Sequence, residues 1–288
     1  MTAIYKREFR SYFNSMIGYV FVAAVMAVIG IYFLLLNLNM GYPYFANSLS
    51  GTATVFSFTV PLLTMKSMAE ERRSKSDQML LTYPVSITSV VLGKFFAMLT
   101  VFAIPMVISC LCPLVLSAGG KGSLLIDYST IFMFMFLGAL FIAVGMYISS
   151  LTESQVIAAI GTMAILLIFM LWDTILSYLP ATLNASIICT LVIFAVFALG
   201  YYASARTVVP AAVIMAIGVV ITVVCATVFK TWFASGVKEL LSLLSVHRVI
   251  ANFTSYYLFD VKGLIFYVIV AALFIYLTIQ SVQKRRYR

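Results

Sequence analysis

Charge is what this sequence has least of. Only 9% of its 288 residues are Asp, Glu, Lys or Arg, while 64% are hydrophobic; a soluble domain carries about a quarter charged residues. So few charges cannot coat the roughly two water-soluble domains that this length would otherwise accommodate. Seven prolines and fifteen glycines are too few for a collagen-like or low-complexity chain. The four cysteines, Cys110, Cys112, Cys189 and Cys225, all fall inside apolar runs, which excludes a disulfide framework and a metal cluster. The single histidine, His247, has no companions for a zinc site and reads as an interfacial side chain. No Walker A sequence is present: Gly119-Gly120-Lys121-Gly122-Ser123 lacks the required spacing. Nucleophile–base pairs and paired carboxylates are missing as well, which counts against an enzyme, including one acting on lipid within the membrane.

What is there is length and greasiness. Mean hydropathy is +1.11, and eight runs approach the roughly 20 apolar residues that cross a hydrocarbon core: 17–38, 52–68, 91–115, 130–151, 156–178, 187–205, 208–229 and 263–282. They lack strand alternation, so backbone polar groups in lipid must be satisfied within helices. The expectation is an all-α integral membrane protein, a polytopic bundle of about eight transmembrane helices. Lys66 and Lys94 lie close enough to the ends of their spans to snorkel to the interface. The first run begins at Ile17 and reads as a retained span, not a cleaved leader.

Basic residues orient the bundle. With the N-terminus inside, Lys6, Arg7, Arg10, Lys66, Arg72, Arg73, Lys75, Lys94, Arg206 and the terminal Lys284, Arg285, Arg286 and Arg288 share the cytosolic side; Lys121, Lys230, Lys238, Arg248 and Lys262 are left outside. Eight spans return the C-terminus to the cytosol, so span count and charge bias agree. The formal net charge of +9 is a topology signal, and nucleic acid is not an expected partner.

Between the spans, residues 1–16 are amphipathic. Tyr5, Phe9, Tyr12, Phe13 and Met16 share an arc, with Lys6, Arg7, Arg10 and Asn14 opposite, the pattern of an interfacial helix on the cytosolic leaflet. Residues 69–89 form the one long cytosolic loop. Glu70, Glu71, Arg72 and Arg73 open it, and an apolar Met79-Leu80-Leu81-Thr82-Tyr83-Pro84-Val85 closes it. On spacing alone two readings stand: an element that docks a soluble partner through salt bridges and a leucine anchor, or a solvated loop returning to the membrane. Thr152-Glu153-Ser154-Gln155 is a short turn in which Thr152 and Gln155 fit a capping box for the fifth span. Outside, residues 230–262 hold a further amphipathic stretch with Phe233, Val237, Leu240, Leu241 and Leu244 on one face, and Trp232, Tyr256, Tyr257 and Phe259 suit an interfacial belt. Asp173, beside Trp172 near the outer end of the fifth span, is the one acid within a span rather than in a loop or at a span's end. It is either a pathway residue or a solvated helix end, and a stand-alone secondary transporter or channel would use it.

Several of these segments together resemble the ABC-2 type permeases, the membrane subunits of type V ATP-binding cassette exporters. Tyr5-Lys6-Arg7-Glu8-Phe9-Arg10-Ser11-Tyr12-Phe13 followed by Ile17-Gly18-Tyr19-Val20-Phe21 is similar to the family's elbow helix running into the first span. Glu70-Glu71-Arg72-Arg73, Met79 to Val85 and Leu92-Gly93-Lys94-Phe95 resemble its cytosolic coupling element, and Ser149 to Gln155 its second coupling turn. The similarity is greatest to the branch of gliding-motility and nitrous-oxide-reductase-maturation permeases. The resemblance implies a bacterial inner-membrane permease with both termini cytosolic, paired with a second copy or a paralogue. Two ATPase subunits would dock beneath the pair and hold the ATP and Mg2+, with no cofactor in this chain. It tips the 69–89 loop towards docking, with Glu70, Glu71, Arg72 and Arg73 as polar contacts, Leu80 and Leu81 as the apolar anchor, and Thr152, Glu153 and Gln155 in the second contact. The family core has six spans, so 187–229 reads as an added pair.

Overall fold

The computed structural model describes residues 1–74, 86–120, 122–178, 180, 182–205, 208–228 and 230–286. They form helices joined by short turns, with no strand among them. In chain order the helices are α1 (Thr2–Asn14), α2 (Ile17–Tyr32), which runs on into a π-helical stretch Phe33–Asn39, α3 (Phe45–Arg73), α4 (Ile87–Ser109), α5 (Leu111–Ala118), α6 (Leu124–Leu151), α7 (Gln155–Ser177), α8 (Leu183–Ala205), α9 (Val208–Val228), α10 (Lys230–Leu243), α11 (Val246–Thr254) and α12 (Val261–Arg286).

Among the described residues six helical stretches are long and apolar enough to cross a bilayer: Ile17–Asn39, Phe45–Arg73, Ile87–Ala118, Leu124–Leu151, Gln155–Ser177 and Val261–Lys284. The expected pair at 187–229 is two helices, α8 and α9, with the Arg206–Thr207 break outside the described residues.

Several boundaries differ from the sequence expectation, each for a local reason. α3 is 29 residues long, so Glu70 to Arg73 are its last turn and not the start of a loop. They are good helix formers, and Arg72 and Arg73 complement the negative end of the helix dipole. Its start moves back to Phe45, because the carboxylate of Asp127 accepts a hydrogen bond from the Ala46 amide at 3.2 Å and supplies an N-terminal acceptor from another helix. The third run breaks at Cys110, where α4 gives way to α5. Pro113 has no N–H to offer the carbonyl four residues back, and the Cys110 amide turns instead to the Val107 carbonyl.

The chain forms two compact units. The first comprises residues Met1–Met170 and Val249–Arg288. Its central helix is α6, which packs on α3, α4 and α12, while α2 lies against α3 and α4, and α1 against α4. An aromatic hub joins four of these helices: Phe102 of α4 lies 6.3 Å from Phe21 of α2 and 5.6 Å from Phe56 of α3, and Phe56 lies 5.8 Å from Phe134 of α6. All four rings are buried. Gly138 admits Phe102, since a Cβ there would run into that ring, and Gly145 likewise admits Thr64 of α3.

At one end of this unit, Asn37 of the π-helical stretch is buried. Its amide nitrogen donates to the carbonyls of Tyr42 and Tyr44, both at 2.9 Å, and its oxygen accepts from Ser48. Asp127 and the Tyr44–Tyr257 ring pair lie at the same end. The charged side chains described below gather at the other.

The second unit comprises Leu171–Arg248. In it α8 packs on α9 and α10, Gly218 faces the ring of Phe194, and the Trp172 indole N–H donates to the Leu241 carbonyl at 2.9 Å. Of the expected amphipathic face, Phe233 is buried, while Leu240 and Leu244 are exposed.

Candidate functional site

α1 is the helix that the amphipathic pattern foretells, but its buried arc is rotated. Tyr12 is buried, and Ile4, Tyr5, Glu8 and Phe9 are half-buried beside it. Tyr5, Phe9, Phe13 and Tyr19 form a ladder of rings with successive centroids 6.1, 5.1 and 5.0 Å apart. Met16 does not join the face. It is 73% exposed and turns the corner into α2 in the left-handed region, with φ +58. Burial raises the Tyr12 phenol above its ordinary pKa, so it packs as a neutral ring. Close approach of α1 to α4 is possible because Gly93 has no side chain; a Cβ there would lie 3.1 Å from Ile4 Cγ2. The Tyr5 hydroxyl completes the contact with a 3.1 Å bond to Thr100 Oγ1.

Next to Gly93 on α4, Lys94 does not snorkel. It is 2% exposed, and its Nζ lies 2.8 Å from Glu71 Oε1, 3.3 Å from Glu8 Oε2 and 2.9 Å from the Ser67 carbonyl. Three oxygens thus surround a group with three donors. Arg7 closes the cluster from the solvent side, 2.7 Å from Glu8 and 3.3 Å from Glu71. The hydrogen bond to Glu8 raises the guanidinium pKa further above its ordinary value. Two cations and two carboxylates balance, which a buried group of charges requires.

A second junction lies at the same end. The Arg72 guanidinium donates to the Ser150 carbonyl at 3.0 Å and lies 3.4 Å from Glu153. One turn back, Ser149 Oγ accepts from the amides of Met68 and Ala69, both at 3.1 Å, and donates to the Met65 carbonyl at 3.2 Å. The end of α3 is therefore pinned to the end of α6 through Ser149 and Arg72, and to α1 and α4 through Glu71.

Of the remaining site residues read from the sequence, Glu70 pairs with Lys66 at 3.4 Å, and Arg73, Lys6 and Arg10 are exposed. The capping box is not formed. Thr152 is the C-cap of α6, its hydroxyl accepts from the Ser154 amide at 3.2 Å, and Gln155 is the first residue of α7 instead of its third. Leu80 and Leu81 lie outside the described residues. Asp173 is half-buried in the second unit, and among the described residues it makes no ion pair. No group of three His, Cys, Asp or Glu among the described residues is placed to hold a metal ion.

Sequence reasoning passed over Glu8, Lys94 as a paired charge, and Ser149. The signal for Glu8 was its spacing: Ile4, Glu8 and Tyr12 recur every four residues, so an acid sits on the buried side of the helix.

At this end of the unit, charged and hydroxyl groups join the helix ends. Comparison with curated proteins and with solved structures yields no similar chain. A family model described as ABC-2 family transporter protein matches residues 35–282, from the π-helical stretch through α12. With its helical spans and its charged helix ends, the chain belongs to the ABC-2 family of transporter membrane proteins.

Proposed function

We propose that the chain is the permease subunit of an ATP-binding cassette exporter of the gliding-motility and nitrous-oxide-reductase-maturation branch. It spans a bacterial inner membrane eight times, with α8 and α9 as the added pair, and both termini face the cytosol. It pairs with a second copy or a paralogue, and α1 rests on the cytosolic leaflet as an elbow. The chain carries no nucleotide-binding motif; it is not itself an ATPase and needs no cofactor. Two partner ATPases hold ATP and Mg2+ and grip the end of α3 and the α6–α7 turn. Glu70, Arg73 and Glu153 offer the exposed charges, Leu80 and Leu81 the apolar anchor, and Thr152 and Gln155 frame the second contact.

The observation that carries this reading is the Arg72 junction, where the two segments expected to meet an ATPase are joined side chain to side chain. Closure of the ATPases displaces both segments together, and α3 and α6 follow as stiff helices. A packed bundle with two stable arrangements converts so small a shift into opening on one side or the other.

Native purification of the full chain tests the reading. A P-loop ATPase should co-purify, and its hydrolysis should rise when it is combined with the permease in liposomes. Transport by the chain alone, driven by an ion gradient and lost in Asp173→Asn, would overturn it in favour of a secondary transporter.

A further inference from the structure

The cluster around Lys94 is more than the end of a span requires. A lysine near the interface normally reaches water along its own stem, yet this one is as buried as the phenylalanines of the hub. Opening an exposed ion pair costs little because water replaces the partner. Opening this one leaves a buried ammonium without its counter-charges, since Lys94 is only 2% exposed, and leaves Glu8 and Glu71 to Arg7 alone. The five groups of the cluster come from three helices: Glu8 and Arg7 from α1, Glu71 and the Ser67 carbonyl from α3, and Lys94 itself from α4. The tie therefore resists separation of α1, α3 and α4, while leaving all three free to move as a block.

Resting on the permease reading above, we infer that Lys94 and Glu8 are positioning residues of the coupling machinery, which make α1 and the start of α4 follow the end of α3. The elbow is then a moving lever and not a fixed anchor. Displacement of Glu71 reaches α1 and α4 through Lys94, as displacement of Arg72 reaches α6 through Ser150.

The test uses the full chain in liposomes with the ATPase that co-purifies with it, titrated against wild type, Glu8→Gln and Lys94→Met. Both substitutions leave the exposed Glu70, Arg73 and Glu153 untouched. The ATPase concentration giving half-maximal stimulation should stay at the wild-type value, while the maximal stimulated rate falls at least about fivefold, the low end of a typical coupling free energy. A merely structural role would not separate the two quantities. Should Lys94→Met fail to insert, Glu8→Gln carries the test alone, because it keeps the Lys94–Glu71 pair.

A covalent staple supplies the rescue. A Cβ built on Gly93 lies 3.3 Å from Ile4 Cβ, close to the roughly 3.5–4.5 Å that a disulfide spans. With the four native cysteines replaced, Ile4→Cys with Gly93→Cys in the Glu8→Gln background should recover the rate when oxidised and lose it when reduced. A wild-type maximal rate in both single variants, or a lowered rate that the oxidised staple does not restore, would overturn the inference. If wild type itself neither retains nor stimulates an ATPase, the permease reading has failed, a result distinct from stimulation by wild type and not by the variants.

Discussion

Arg72 and Glu153, 81 positions apart in the chain, meet with their side chains 3.4 Å apart, and the same guanidinium reaches the Ser150 carbonyl at 3.0 Å. The two bonds differ in kind. Glu153 is 71% exposed on its side chain, against 16% for Arg72, so the ion pair is largely screened while the carbonyl contact lies deeper.

Glu153→Gln should therefore shift stability by no more than about 1 kcal/mol, as exposed pairs do. Arg72→Met should cost roughly 1.5–3 kcal/mol through loss of a charge-assisted bond to a backbone carbonyl. Thermal unfolding of the detergent-solubilised chain measures both, and equal losses would mean that the carboxylate, not the carbonyl, holds Arg72.

Glycine tolerance should follow helix contact. Gly145→Ala and Gly138→Ala drive a methyl group into Thr64 and the Phe102 ring, and each should cost about 1–3 kcal/mol by overpacking. Gly30 faces open space within α2, so Gly30→Ala should be neutral or stabilising by up to about 1 kcal/mol. The same unfolding measurement ranks the three.

At the opposite end, Asp127→Ala removes the acceptor for the Ala46 amide and should cost about 1–2 kcal/mol, the usual loss for a helix cap. Asp127→Asn retains a carbonyl oxygen and should keep most of that stability. Similar losses in both variants would assign the effect to the negative charge.

Asn37→Leu removes the amide that donates to the carbonyls of Tyr42 and Tyr44, while the Ser48 hydroxyl keeps the Tyr32 carbonyl. Each lost bond is worth about 0.5–1.5 kcal/mol, so the turn at 40–44 should loosen. Amide hydrogen exchange should accelerate there first, ahead of any change at the Lys94 cluster.

The helices were legible because long apolar runs leave a backbone in lipid few alternatives. The two charged segments were legible because charge is so scarce here that Glu70 to Arg73 and Glu153 stand out. Which of those charges face inward was not legible. Exposed and buried partners look alike in a sequence, and Lys94 finds Glu8 across 86 residues only once α1 folds back onto α4. Span limits drifted for a similar reason: Asp127 extends α3 backwards from another helix, and no local pattern around Phe45 announces it. The rotated face of α1 is the clearest case. Aromatic spacing carried the arc on to Met16, which is exposed, whereas packing also takes in Ile4 and Glu8.

Met16 holds a left-handed backbone without being glycine, a conformation that costs an ordinary residue about 1–2 kcal/mol. Two residues on, Gly18 lies so near the Tyr12 carbonyl that a Cβ would sit 3.1 Å away. The corner between α1 and α2 is thus closely determined: a β-branched residue at 16 or any side chain at 18 would push α1 away from the start of α2.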